Sequence, residues 1–170
     1  RSARAVRFPL YLRVPGWCRG LQLSVAGRPV KVSAEGAGFV RIDRAWADKD
    51  VVKFDMPMEV SLTRWPRNGS CTVDRGPLSY SVRIGQRWQV CGGTDAWPEH
   101  EALPTTPWNY GLVVDPARPG KSIKVRKRTK PALQPWTAET APIELSAKAR
   151  RIPNWAMKDD TVAELQAGPI

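Results

Sequence analysis

The sequence predicts an all-β chain, an antiparallel β-sandwich organised as two small β domains in tandem. Three observations point there. Apolar and polar residues alternate with period two in short runs along the first half, the pattern of strands with one buried face. Turn signals such as Pro15-Gly16, Gly27-Arg28-Pro29, Asn68-Gly69 and Gly76-Pro77 punctuate those runs. The chain also spends 16 prolines and 13 glycines on 170 residues, as many short strands joined by turns require.

The elements follow in order. Leu10, Leu12 and Val14 alternate with Tyr11 and Arg13 in a first strand that ends at Pro15-Gly16. Leu21, Leu23 and Val25 alternate with Gln22 and Ser24 in a second. Gly27-Arg28-Pro29 turns the chain into a short third strand at Val30 and Val32, and a loop covers Ala34 to Gly38. From Gly38 to Met58 the pattern predicts a β-hairpin on which the rest is organised. Val40 and Ile42 face inward from its first arm, Val52, Phe54 and Met56 from its second, and Trp46-Ala-Asp-Lys-Asp50 supplies the turn.

Val60 and Leu62 continue toward Arg64-Trp65-Pro66, and Asn68-Gly69 is a strong hairpin signal. Thr72 to Asp74 and Leu78 to Ile84 give two more strands. After Gly85 the texture changes: residues 88–107 show little period. Strands are expected again at Leu112–Val114, Ser122–Arg126 and Ile143–Ala149, with a strand or helical turn at Val162–Gln166. Arg151-Ile-Pro-Asn-Trp155 echoes Arg13-Val-Pro-Gly-Trp17, which suggests two strands ending in similar corners. The domains are therefore placed at 1–86 and 87–170, the second expected to be incomplete at its C-terminus. The opening Arg1-Ser-Ala-Arg carries neither an initiator Met nor a signal peptide, as expected of a piece of a longer polypeptide.

Composition narrows the classes. The chain is 42% hydrophobic and 25% charged, with a net charge of +11 and a pI near 10.1. That charge raises a polyanion as a partner, through the cluster Lys121, Lys124, Arg126, Lys127, Arg128 and Lys130. No DNA- or RNA-binding module signature accompanies the cluster, and solvated basic faces explain it, so nucleic acid is not expected. No run approaches transmembrane length, so no membrane is expected either. Cys18, Cys71 and Cys91 are odd in number and form no CxxC, which reads as buried free thiols rather than a metal site.

Phe8-Pro-Leu-Tyr-Leu-Arg-Val-Pro-Gly-Trp17, the Gly27 turn, Gly38-Phe-Val-Arg-Ile-Asp-Arg-Ala-Trp46, Asp50-Val-Val with Met56-Pro-Met58, and Asp74-Arg-Gly-Pro-Leu-Ser-Tyr80 follow one another in this order. So do Thr105-Thr-Pro-Trp-Asn-Tyr-Gly111 and Ala149-Arg-Arg-Ile-Pro-Asn-Trp155. The set resembles the region C-terminal to the catalytic barrel in glycoside hydrolase family 127, typified by β-L-arabinofuranosidases. The resemblance implies a bacterial hydrolase of carbohydrate metabolism, with an (α/α)6 barrel carrying the active site and β-sandwich domains after it. It implies that this chain holds only the latter, with that barrel as its partner in the same polypeptide and arabinose-containing or other plant glycans as ligands. Zinc, a cysteine nucleophile and an acid/base glutamate would belong to the barrel, leaving no catalytic residue, metal ligand or cofactor in this chain. Export to the periplasm or cell exterior is implied in the same way. One departure is Lys49, where the family usually has Gly; such a position calls for positive φ at some cost to a residue with a side chain.

The candidate chemistry that remains is carbohydrate binding. Trp97, Trp108 and Tyr110 offer ring faces for the apolar side of a sugar, and Asp95 and Asn109 offer hydrogen bonds to its hydroxyls. The bland reading is that these aromatics pack between the two β domains or against a missing barrel. Asp95, Glu99 and Glu101 form an acidic cluster, but solvated loop carboxylates are the simpler account than a glycosidase pair. His100 between them reads as a surface residue, and Asn68-Gly69-Ser70 as a tight turn rather than a glycan acceptor.

Overall fold

In the computed structural model, which describes residues 3–31, 38–135, 137–159 and 161–165, the chain is all-β with antiparallel sheets. It divides into two compact units, Arg1–Glu59 with Arg75–Leu78, and Val60–Asp74 with Ser79–Ile170.

The first unit begins with β1 (Val6–Arg13), β2 (Gln22–Val25), β3 (Arg28–Pro29), β4 (Phe39–Trp46) and β5 (Val52–Asp55). Alternation does what the sequence predicts. In β4, Val40, Ile42 and Trp46 are buried while Phe39, Arg41 and Asp43 are exposed. In β1, Leu10 and Leu12 turn inward and Tyr11 and Arg13 outward. The strands assemble as two sheets, β1–β4 and β3–β2–β5. Leu23 and Val25 of one sheet join Val40, Ile42 and Trp46 of the other in a single buried cluster, with Leu10, Leu12, Val52 and Phe54 packed on it. Two sheets sharing one core make the first unit a sandwich. Pro9 sits within β1, tolerated because β1 is an edge strand with β4 as its single neighbour.

One expectation fails here. The arms of the anticipated hairpin both form, but they do not pair. β4 runs antiparallel to β1 with Leu10 opposite Ile42 and Leu12 opposite Val40. β5 pairs instead with β2, Leu23 opposite Phe54 and Val25 opposite Val52. The link between them is an arch from one sheet to the other. Alternation specifies which face of a strand is buried, not which of two facing sheets it joins. The arch is held by Asp50, whose amide donates to the Ala47 carbonyl and whose carboxylate accepts from the Ala47 amide at 2.9 Å. Arg44 closes on the same carboxylate at 3.3 Å. Lys49 has φ +66°, the left-handed conformation expected at this position, at a cost of about 1–2 kcal/mol for a residue with a side chain.

Next come β6 (Val60–Arg64), β7 (Cys71–Arg75) and β8 (Leu78–Tyr80), neighbours in that order in one sheet; all but Arg75 and Leu78 of these residues count with the second unit. The Asn68-Gly69 hairpin is present, with a loop longer than two residues. The Trp65 amide donates to the Ser70 carbonyl and the Gly69 amide to the Trp65 carbonyl, Gly69 adopting φ +71°. β8 is shorter than the run expected to reach Ile84.

The largest departure is β9 (Gln86–Thr94) with β10 (Trp97–Pro104), an antiparallel ribbon of two long strands where the sequence showed no period. Every residue of the ribbon is exposed except the half-buried Leu103. With neither face buried, no alternation is imposed on the sequence. Residue 86, where the texture changes, is the first residue of this ribbon and lies inside the second unit.

Beyond it come β11 (Tyr110–Leu112), the single turn of helix α1 (Pro119–Ser122), β12 (Ile123–Lys127), β13 (Ile143–Ala147), β14 (Ala149–Arg151), β15 (Met157–Lys158) and β16 (Thr161–Val162). β11 pairs with β14, β12 with β13 and β15 with β16. Both echoed motifs leave their strands at the arginine, Arg13 of β1 and Arg151 of β14, but the turns that follow differ by one position: the Cys18 amide bonds the Pro15 carbonyl, and the Trp155 amide the Ile152 carbonyl. The loop expected at Ala34–Gly38 falls, except Gly38, outside the described residues, as do Val32 and Gln166.

Candidate functional site

The five residues singled out for sugar binding belong to two places in the second unit. Trp108, Asn109 and Tyr110 build the corner where β11 meets the chain after β14. Asn109 is 8% exposed, and its side-chain amide donates to both the Ile152 and the Trp155 carbonyls at 3.0 Å. Its own carbonyl accepts from the Ile152 amide at 2.8 Å. Both donors of the amide group are thus spent on main-chain acceptors. Trp108 is half-buried and meets Trp155 edge to face, ring centroids 4.9 Å apart. The Trp155 indole N–H donates in turn to the Ala163 carbonyl at 2.8 Å. Tyr110 is half-buried in β11, opposite Arg151.

This is a side-chain clamp that ties residues 152–155 to β11. Asn109→Ala is expected to leave both carbonyls without their donor and to cost about 1–3 kcal/mol. Urea unfolding followed by circular dichroism checks it; a loss below a few tenths of a kcal/mol would mean that water replaces the amide freely.

Asp95 and Trp97 lie elsewhere, at the tip of the β9–β10 ribbon. Asp95-Ala96 is the two-residue connection between the strands, and Gly93 just before it takes φ +84°. An added Cβ on Gly93 would run into the Trp97 carbonyl and the Glu99 amide, so the tip demands glycine there. Trp97 is 83% exposed, with its amide donating to the Thr94 hydroxyl at 3.2 Å.

Cross-strand register sorts the ribbon into two faces. Trp97 opposite Thr94, Glu99 opposite Gly92, Glu101 opposite Gln89 and Leu103 opposite Arg87 share one face. Trp88 opposite Ala102 and Val90 opposite His100 share the other, Cys91 being the extra residue of a β-bulge. On the first face the Glu99 carboxylate leans over Gly92, where a Cβ would stand 2.8 Å from Oε2. The Gln89 side-chain amide donates to the Glu101 carboxylate. The exposed Trp88 was not among the expected binding residues, and nothing in its sequence context distinguishes it from a core tryptophan.

The basic cluster is partly neutralised. Glu144 accepts Arg128 at 3.1 Å and lies 3.9 Å from Arg126, its cross-strand neighbour. Arg128 also donates to the Ala141 carbonyl at 3.0 Å. Lys121, Lys124, Lys127 and Lys130 stay exposed. The three cysteines are free, but Cys91 is exposed and Cys18 and Cys71 only half-buried, a correction to the expectation of buried thiols. Among the described residues no group of three or more His, Cys, Asp or Glu side chains is disposed to hold a metal, and no helix is long and apolar enough to cross a membrane.

Comparison with known proteins finds similarity for part of the chain. Residues 1–58 match the family model of the β-L-arabinofuranosidase GH127 middle domain. Among solved structures the chain is similar to a glycoside hydrolase at 33% identity, covering 43% of this chain and 13% of that one, with a TM-score of 0.40. It is also similar to a GH127 β-L-arabinofuranosidase from Geobacillus stearothermophilus T6 at 20% identity, covering 60% of this chain and 24% of that one, with a TM-score of 0.42. No curated protein matches. The chain thus spans less than a quarter of the length of either structure.

Proposed function

From a chain whose residues 1–58 form a domain related to glycoside hydrolase family 127, we propose that it is the non-catalytic β-sandwich region of a glycoside hydrolase, supporting a helical catalytic barrel carried by the same polypeptide. The match to a domain described as the middle one of its family carries this reading, because a middle domain works between neighbours. The all-β content agrees: the single helical turn, Pro119–Ser122, offers no piece of a helical barrel among the described residues. An arabinose-containing glycan is the substrate of the whole enzyme on this reading, zinc its metal, and export its destination. The chain's own part is mechanical, presenting a stable sandwich against which a barrel rests.

An antibody raised against this chain reads the mass of the native gene product in its source cells. A product several times 18.9 kDa that cleaves an aryl β-L-arabinofuranoside is expected. A native product close to the mass of this chain would overturn the proposal.

A further inference from the structure

We propose that the face of the β9–β10 ribbon bearing Trp97, Glu99, Gln89 and Glu101 binds a neutral oligosaccharide, with Trp97 as the stacking platform. Ribbons of two strands are marginal by themselves in water, and this one keeps both faces exposed. Its two faces differ in chemistry. The Trp88 face carries Val90 and Ala102, and its polar groups are few. The Trp97 face sets one indole, 83% exposed, beside a row of hydrogen-bonding side chains at the roughly 7 Å spacing of same-face residues on a strand.

Gly92 leaves no side chain opposite Glu99, so the carboxylate lies across the neighbouring strand instead of standing away from it. The left-handed Gly93 and the two-residue Asp95-Ala96 turn set the backbone at Trp97, whose amide is tied to Thr94, and leave its side chain exposed. An exposed indole next to carboxylate and amide groups matches a polyol, which has a C–H face to stack and hydroxyls to donate.

Charge separates this occupant from others. In a chain of net charge +11, residues 86–104 carry one guanidinium, Arg87, against the carboxylates of Asp95, Glu99 and Glu101. A polyanion such as nucleic acid or an acidic membrane would be repelled here. A cationic peptide would be attracted, but it would bind by screened charge, which salt dissolves. The choice of sugar rests on the glycosidase reading above; the surface does not depend on it.

Isothermal titration of the full 170-residue chain with arabino-oligosaccharides and, separately, xylo-oligosaccharides tests the proposal. Saturable binding of either is expected, weakened about ten- to a hundredfold in Trp97→Ala and about tenfold or less in Glu99→Gln, and unchanged in Trp88→Ala on the opposite face. Trp97 is so exposed that its removal leaves the fold intact, which an unaltered circular dichroism spectrum checks. No heat with either sugar at about 10 mM, a millimolar ceiling that excludes useful affinity, overturns the proposal. So does equal loss in Trp97→Ala and Trp88→Ala, and so does binding that collapses as salt rises. Failure here would leave the accessory reading intact, since that one is decided by the mass of the native product.

Discussion

Trp46→Ala is expected to lower the stability of the first unit by about 3–5 kcal/mol, the usual cost of emptying a large aromatic site in a core. Trp46 is 9% exposed at the end of β4 and belongs to the same buried cluster as Leu23, Val25, Val40 and Ile42. Its role is more than volume. The indole N–H donates to the Phe8 carbonyl at 2.9 Å, its ring lies 5.7 Å from that of Phe8, and the Arg44 guanidinium sits 5.3 Å over it. One side chain thus fills the core, pins the start of β1 and orders the arginine that reaches Asp50 in the arch. Trp46→Phe separates these roles: it keeps most of the volume and loses the donor, at about 1 kcal/mol. Urea unfolding of both variants, followed by circular dichroism, measures the difference. Near-equal losses for the two would show that the hydrogen bond outweighs the packing, contrary to the expectation.

Gly76→Ala is the second large effect, expected at about 2–4 kcal/mol from two additive causes. Gly76 has φ +59°, where alanine loses about 1–2 kcal/mol. An alanine Cβ would also stand 2.5 Å from Met58 Sδ and 2.6 Å from Cγ. Because Cγ as well as the sulfur is in the way, rotation of the thioether end does not relieve the overlap. The Met58→Ala background removes Sδ and Cγ and leaves only the Met58 Cβ, 3.1 Å from the added methyl, so most of the steric part of the cost of Gly76→Ala should disappear there, a coupling of about 1–2 kcal/mol. A penalty that stays the same in both backgrounds would assign the whole effect to the backbone.

How much of this was legible in the sequence depends on what each residue was asked to reveal. Val40, Ile42, Val52 and Phe54 announce their strands because one face of each is buried. They say nothing of partners, so a hairpin and an arch look alike until β1 is found opposite β4. The ribbon was invisible for the opposite reason, since a strand exposed on both faces carries no period to detect. Lys49 is the instructive success: a comparison of residue types at one position foretold a left-handed backbone. At the candidate site the residue types were read correctly and the company they keep was not. Asn109 has the chemistry of a sugar ligand, but its two donors are committed to Ile152 and Trp155, and a short sequence cannot show that a corner some forty residues away will claim them. Asp95 and Trp97 sit apart from it on an exposed tip, where the composition that suggested binding is still at the surface.

The path of the chain between its units has a consequence for how it comes apart. The family match stops at residue 58, yet the first unit regains Arg75–Leu78 after the chain has entered the second. Gly76 of that returning segment lies against Met58, at the end of the matched region, and its amide bonds the Glu59 carbonyl at 3.3 Å. A break in the strand-and-loop stretch of residues 60–74 would therefore separate the first unit from its own last contribution without touching a residue of its core. The stretch by which the family is recognised and the compact unit are not the same piece of chain, and the four residues that make the difference arrive only after the chain has passed through residues 60–74.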